Sequence, residues 1–318
     1  MKYQTKFLPI ASSKGVTIFT PTISFISFTN SPYYSHKHGL AVDIYPLSSK
    51  ATGFSPVQGD ILEVFKVKSP QPKYFQAADD ERLLIIQPIE NPSLVVRILH
   101  TDYDSSSKAK LPLGSPIGNM VRSGFFDFWT ECHIHVEVRN AKHLLRAKGS
   151  LPMLPLTKGS RLLGIFSEKT PRLRVVCANQ NYILVGCVDS LREGIMTLGP
   201  MNGFSCKVGK TIGILDAGIP YYQVGSVHFE EGVTVFPGDK VKLWGTIIGE
   251  VVESRNGMAI FKSIPIETRL NEYIIRGLAF YLWVGKSPII KLIRPRPTHP
   301  KWHEGEEVKV HICKTGSS

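Results

Sequence analysis

Four imidazoles and three carboxylates fall in two short runs of the chain. The first is His36-Lys37-His38-Gly39-Leu40-Ala41-Val42-Asp43, and the second is Glu131-Cys132-His133-Ile134-His135-Val136-Glu137-Val138-Arg139. Neutral imidazole nitrogen and carboxylate oxygen are donor types that zinc accepts. The chemistry they suggest is metal-assisted hydrolysis, in which three protein ligands leave a fourth position for a water whose pKa falls towards about 7. Read as a strand, the second run sends Ile134, Val136 and Val138 to one face and His133, His135 and Glu137 to the other. Two residues along a strand span roughly 6–7 Å. One imidazole of the pair therefore ligates while its neighbour hydrogen-bonds to the water. In the first run, a histidine and Asp43 converge on one ion only if the chain bends between them. Gly39 permits that bend through a bulge or a positive φ, and small Ala41 leaves room for the ion.

At these residues the chain resembles the metallopeptidase superfamily that contains lysostaphin-type endopeptidases, D-Ala-D-Ala carboxypeptidases and the hedgehog signalling domain. The run from His36 to Asp43, with six residues between the ligands, has the spacing of the carboxypeptidase and hedgehog branch. The rest of residues 30–140 is more similar to the lysostaphin-type branch. Ser55-Pro56-Val57-Gln58-Gly59-Asp60-Ile61-Leu62-Glu63-Val64 resembles the small-residue turn and strand after the first motif. Leu84 to His100 resembles the hairpin ending in a catalytic histidine, and Leu113 to Gly118 the turn before the final His-x-His strand. Lysostaphin-type enzymes place their first histidine where this chain has Gly39, so the first ligand is His36 or, as second choice, His38.

The resemblance implies Zn2+ held by His36, Asp43 and His135. It implies His133 beside the water as proton acceptor and His100 as a second polarising histidine that stabilises the oxyanion. Glu131 is an alternative base, or a support for a ligand. The implied substrate is a peptide of peptidoglycan type, containing Gly or D-amino acids.

These groups need a sheet to position them. Residues 7–28 and 55–140 are short β-branched and aromatic runs separated by Gly, Pro, Asn and Asp, which argues for an antiparallel sheet with long loops. Loops 66–82 and 101–112 are polar and placed to frame a cleft. A boundary falls within 141–160, where Ala141 to Lys148 reads as two helical turns ended by Gly149, and Leu151 to Leu156 as an extended connection. This gives a metallopeptidase-like domain over 1–148 and a β-rich domain over 149–318. In the second, Arg172–Val176, Tyr182–Val188, Val224–Phe229, Val233–Phe236 and Val241–Val252 read as strands. Turns at Phe236-Pro237-Gly238-Asp239 and Trp244-Gly245 suit a small barrel or sandwich. Gly59-Asp60 and Gly238-Asp239 hint at an echo between the halves, and His228 reads as structural. Ile266, Leu270, Tyr273, Ile274, Gly277, Leu278 and Tyr281 share one face at helical spacing, which predicts a helix over Glu267–Leu282. The Pro-rich tail from Arg294 reads as extended and frayed. The fold class is thus mostly β: an antiparallel-sheet domain followed by a β-rich barrel or sandwich with one helix.

With 318 residues, 42% of them hydrophobic, the chain can build two cores. No stretch approaches the roughly 18–20 continuous apolar residues of a membrane span, and Val16–Phe28 is broken by Pro21, Thr and Ser, unlike a signal-peptide core. An intracellular, cytoplasmic protein is expected. The five cysteines are odd in number and form no Cys-x-x-Cys pair, which argues against a disulfide framework or a cysteine zinc cluster. Cys132 is expected to pack rather than react. Net charge is +12, and residues 139–174 hold nine Lys or Arg against one acid, Glu168. Such a segment can attract phosphate-bearing partners, but without interleaved aromatics it reads as a solvated basic face rather than a nucleic-acid site. Three readings follow. The first is a zinc metallopeptidase acting on a peptide. The second is a non-catalytic zinc-binding module that mediates protein or nucleic-acid interaction. The third is a basic, metal-free, nucleic-acid-associated β protein.

Overall fold

The computed structural model describes residues 6–47, 52–103, 110–145, 149–188, 193–295 and 301–315. The chain is mostly β and divides into two compact units, one of residues 1–28 and 33–156, the other of 29–32 and 157–318. The division after Leu156 closes the extended connection foreseen between the halves.

The first unit contains β1 (Phe7–Ser13), β2 (Val16–Pro21), β3 (Ser24–Ser27), α1 (Tyr34–Lys37), β4 (Val42–Pro46), β5 (Thr52–Phe54) and β6 (Gly59–Lys68). It continues with β7 (Asp80–Pro88), β8 (Leu94–Thr101), β9 (Lys110–Leu111), β10 (Pro116–Asn119), β11 (Ile134–Asn140) and β12 (Leu154–Pro155). Its main sheet is antiparallel in the order β3-β4-β11-β8-β7-β6-β9. β1 and β2 form a hairpin whose turn residues Lys14 (φ 48°) and Gly15 (φ 85°) both have positive φ, the twist-compatible geometry for two-residue hairpins. Alternation decides which face each strand buries. Ile134, Val136, Val138, Val96 and Ile98 are almost fully buried on one face of β11 and β8. On the other face Val95 packs with Leu83 and Ile85 of β7, and Leu99 lies against this cluster. Each such burial contributes about 1.5–3 kcal/mol, enough to fix a register that places His135, Glu137 and Arg139 of β11 on the remaining part of that second face.

The second unit contains a closed barrel. Its strands are β13 (Leu162–Gly164), β14 (Leu173–Ala178), β15 (Tyr182–Cys187), β16 (Ile195–Leu198), β17 (Met201–Val208), β18 (Thr211–Ile219), β19 (Val224–His228), β20 (Lys240–Leu243) and β21 (Thr246–Arg255). They are followed by β22 (Met258–Ser263), β23 (Ile266–Leu270), β24 (Tyr273–Ile275), β25 (Gly277–Phe280), β26 (Leu282–Val284), β27 (Ile289–Ile293), β28 (Glu307–Val308) and β29 (Val310–Lys314). The ring β17-β18-β19-β22-β21-β20 returns to β17. Phe204, Leu215, Val227, Val241, Val251 and Phe261, one from each of its strands, share a buried core. Closure leaves these strands no free edges.

Several local expectations change. Glu267–Leu282 is not a helix but lies in β23 to β26, because Ile266, Thr268 and Leu270 bury at period two and β23 pairs with both β24 and β29. Asn271, at φ 51°, turns the chain between β23 and β24. Among the described residues the single helix is α1, in the first unit. Ala141–Leu145 forms turns rather than helix, and 146–148 lie outside the described residues. Val233–Phe236 is irregular. The tail is not frayed throughout, since β28 pairs with β14 and β29 with β23; residues 296–300 and 316–318 lie outside the described residues. The shared Gly-Asp turns do not make a repeat, for one unit is an open sheet and the other contains a ring. No helix among the described residues is long and apolar enough to cross a membrane.

Candidate metal centre

Three elements converge on one point of the first unit. Pairing of β11 with β4 sets His135 opposite Asp43, so strand register alone brings the two side chains together. His36 comes from α1, a single turn ended by Gly39 at φ 55°, which supplies the bend required before Asp43. Successive helical residues are rotated by about 100°, so His36 and His38 point to opposite sides. His36 is buried and His38 is exposed, and His36 is the one that reaches Asp43.

The geometry is a small triangle. His36 Nε2 lies 3.0 Å from His135 Nδ1 and 3.1 Å from Asp43 Oδ1, and His135 Nδ1 lies 2.9 Å from Asp43 Oδ1. Partners on the far side of each ring decide what these atoms carry. His36 Nδ1–H donates to the Phe28 carbonyl at 2.8 Å, and His135 Nε2–H donates to Glu137 Oε1 at 2.9 Å. Both inward nitrogens therefore present lone pairs when the rings are neutral, facing a carboxylate oxygen. Three acceptors about 3 Å apart repel unless a cation sits among them. The ligand separations in a tetrahedral zinc site with bonds of about 2.0–2.2 Å are about 3.3–3.6 Å, close to this triangle. His36, Asp43 and His135 together form a buried group able to hold a metal ion.

Charge is concentrated around it. Glu137 Oε2 accepts from Arg139 Nη1 and Ser150 Oγ, each at 2.5 Å, and Arg97 Nη2 is 2.8 Å from both Glu137 oxygens. Burial by itself would raise the Asp43 carboxyl, but facing His36 and His133, with hydrogen bonds from His135 and His36, hold it well below the usual carboxylate range. Burial would lower His135, yet hydrogen bonds to Asp43 and Glu137 push it up to about 9. Glu137 is likewise held far below its ordinary value, against the effect of burial, by His135, Arg97 and Ser150. Asp43, Glu81 and Glu137 are buried with Arg97 and Arg139, three carboxylates against two guanidinium groups. One added positive charge neutralises the cluster. A proton suffices, while a divalent cation overshoots by one and leaves the site attractive to an anionic group.

His133 and His100 stand beside this triangle. His133 Nε2 is 3.4 Å from Asp43 Oδ2, and its Nδ1–H donates to the Glu131 carbonyl at 2.9 Å. Its ring stacks on Phe126 at 4.4 Å and lies 4.6 Å from Tyr45. Burial, with a smaller contribution from His100, lowers it to about 3. His100 arrives by a different device. Between the pairs Arg82 with Thr101 and Leu84 with Ile98, two residues of β8 oppose one of β7, a bulge that turns His100 onto the site face at φ 74°. Its ring is 5.2 Å from that of His133, and its Nδ1–H donates to Glu81 Oε2 at 2.8 Å. Glu131 meets the site through its backbone carbonyl, and its half-buried side chain is not one of the carboxylates of the buried cluster. Burial raises the Cys132 thiol, consistent with packing rather than reactivity. A cavity of about 230 Å³, lined by Tyr33, Tyr34, Leu99, His100, Phe125 and His135 among others, opens onto the centre.

Glu81, Arg97 and Arg139 escape a reading of the sequence, although all three are nearly or fully buried. A clue was present in Arg139, which continues the polar parity of His135 and Glu137 on an otherwise apolar strand, where a buried cation requires a partner. Nothing local marks Glu81. In the second unit, His228 is fully buried 3.0 Å from Ser226 Oγ, in keeping with a structural role.

Residues 18–155 match a family model described as Domain of unknown function (DUF8155) N-terminal domain. The matched span contains every residue of the centre. No curated protein and no solved structure gives a significant match to the chain.

Proposed function

We propose that the first unit is a zinc-dependent metallopeptidase that hydrolyses an amide bond. The observation that carries this reading is the triangle of His36 Nε2, Asp43 Oδ1 and His135 Nδ1, in which the outward hydrogen bonds leave three acceptors facing one another. Two imidazoles and a carboxylate, with the imidazoles supported from behind by the Phe28 carbonyl and by Glu137, are the donor set and support of catalytic zinc. When bound, the ion would polarise the scissile carbonyl and lower the pKa of a water to about 7. His133 and His100 lie on the same side as the triangle and can exchange protons with the attacking water and the leaving nitrogen. Phe126 and Tyr45 keep bulk water from His133, and the adjoining cavity has room for part of a peptide.

Elemental analysis of untagged protein tests the reading. About one zinc per chain is expected, lost in His36→Ala, Asp43→Ala and His135→Ala, with cleavage of peptides from a panel rich in Gly and D-Ala. Absence of zinc after reconstitution would overturn it and leave a triangle held by one proton. Stoichiometric zinc without any cleavage would instead leave the non-catalytic module.

A further inference from the structure

Two imidazoles stand beside the triangle, and what lies behind each differs. His133 Nδ1–H donates to a peptide carbonyl, that of Glu131, and its ring is packed against Phe126 and Tyr45. His100 Nδ1–H donates to a carboxylate, Glu81 Oε2, at 2.8 Å. Glu81 is fully buried, and its Oε1 has no hydrogen-bond partner among the described residues. The groups around the His100 ring are Glu81, Phe126 at 4.8 Å, His133 at 5.2 Å and His135 at 6.0 Å, so Glu81 is the one anion among them. An imidazole that takes a proton at Nε2 becomes a cation. Behind His133 that cation meets only a carbonyl dipole, and in front of it Nε2 faces Asp43, 3.4 Å away at Oδ2, a carboxylate whose charge the ion would neutralise. Behind His100 it meets a full negative charge in a site with little water to screen it.

We infer that Glu81 is a positioning residue that fixes His100 as its Nδ1–H tautomer and makes His100, rather than His133, the base that takes the proton of the attacking water. The inference rests on the hydrolase reading and assigns its proton path. An O–H bond of the water breaks, the proton goes to His100 Nε2, and the electron pair stays on the oxygen that bonds to the carbonyl carbon as the C=O π pair moves to the carbonyl oxygen. When that pair re-forms the C=O bond, the C–N bond breaks, its electron pair leaves with nitrogen, and the proton passes from His100 to that nitrogen. His100 returns to the neutral Nδ1–H form, held in place by Glu81. His133 then serves as a hydrogen-bonding neighbour whose removal weakens binding more than turnover.

The test is nitrogen NMR of histidine-labelled full chain, joined to steady-state kinetics. Wild-type protein should show His100 protonated at Nδ1 and bare at Nε2. Glu81→Leu should abolish that preference, and Glu81→Gln should keep it through the amide oxygen. The kinetics of zinc-loaded Glu81→Gln should show kcat reduced at least tenfold with KM within about twofold, at unchanged zinc content, and Glu81→Asp should recover part of the loss. His100 found as the Nε2–H tautomer in the wild type, or full kcat in Glu81→Gln, would overturn the inference. Should Glu81→Leu fail to fold, the wild-type tautomer and the Gln variant still decide. Loss of the zinc reading shows separately, as metal-free wild type, and would remove the proton path while leaving the tautomer result standing.

Discussion

His135 Nε2–H donates to Glu137 Oε1 at 2.9 Å, and this one bond turns Nδ1, with its lone pair, towards Asp43 and His36. The same carboxylate pairs with Arg97 and Arg139, so His135 and the buried cations share a single anchor.

Removing that anchor should act twice. Glu137→Gln is expected to weaken zinc binding by about 10–100-fold, as loss of a group behind a metal ligand does. Glu137→Ala additionally removes the carboxylate that two buried guanidinium groups share, at a cost of about 3–5 kcal/mol. Competition with a zinc chelator and urea denaturation measure the two effects. A Glu137→Ala variant as stable as the wild type would contradict the network.

The two upstream histidines should separate cleanly. His38 is exposed and caps α1, so His38→Ala is expected to retain zinc and to change stability by less than about 0.5 kcal/mol. His36→Ala should lose the metal. Equal zinc content in the two variants would reverse the ligand assignment.

Acidity links the centre to stability in opposite directions. His135, raised to about 9 from an unfolded value of about 6.5, contributes fully below about pH 6.5 and loses its contribution as pH rises through 9. Asp43 and Glu137, both lowered, contribute above their unfolded range near pH 4 and lose it as pH falls. Metal-free protein should therefore lose about 3 kcal/mol between pH 6.5 and 9.5, read by denaturation at a series of pH values. At pH 7 the zinc ion should displace the His135 proton, and calorimetry in buffers of different ionisation enthalpy should find about one proton released per zinc. No proton release would mean that His135 is neutral before the metal arrives.

The barrel offers an independent check of packing. A Cβ at Gly225 of β19 would lie 2.5 Å from the Phe261 ring and 2.6 Å from Ala217 Cβ. Gly225→Val is expected to destabilise the second unit by about 1–3 kcal/mol. Hydrogen exchange in β18, β19 and β22 should rise accordingly, and unchanged protection would refute the packing.

What the sequence determined by itself lies in its periodicities and residue types. Alternation in Ile134 to Val138 sorted apolar from polar groups because a strand has only two faces, and it thereby exposed His133, His135 and Glu137 as a set. Gly39 announced the bend before Asp43, since glycine reaches positive φ without steric cost. Four of the five strands expected in the second half, and its tight turns, were equally legible, Trp244 and Gly245 both adopting positive φ as a two-residue hairpin requires. Tertiary structure decided the rest. His36 and His38 have the same chemistry, and only the phase of a single helical turn gives one to the buried triangle and the other to solvent. Glu267–Leu282 has helical spacing, yet pairing with β29, far away in sequence, makes it β. Glu81 and Arg97 are unremarkable in the sequence, because a buried charge is recognised only by the partner that register brings to it, and register is a property of the assembled sheet.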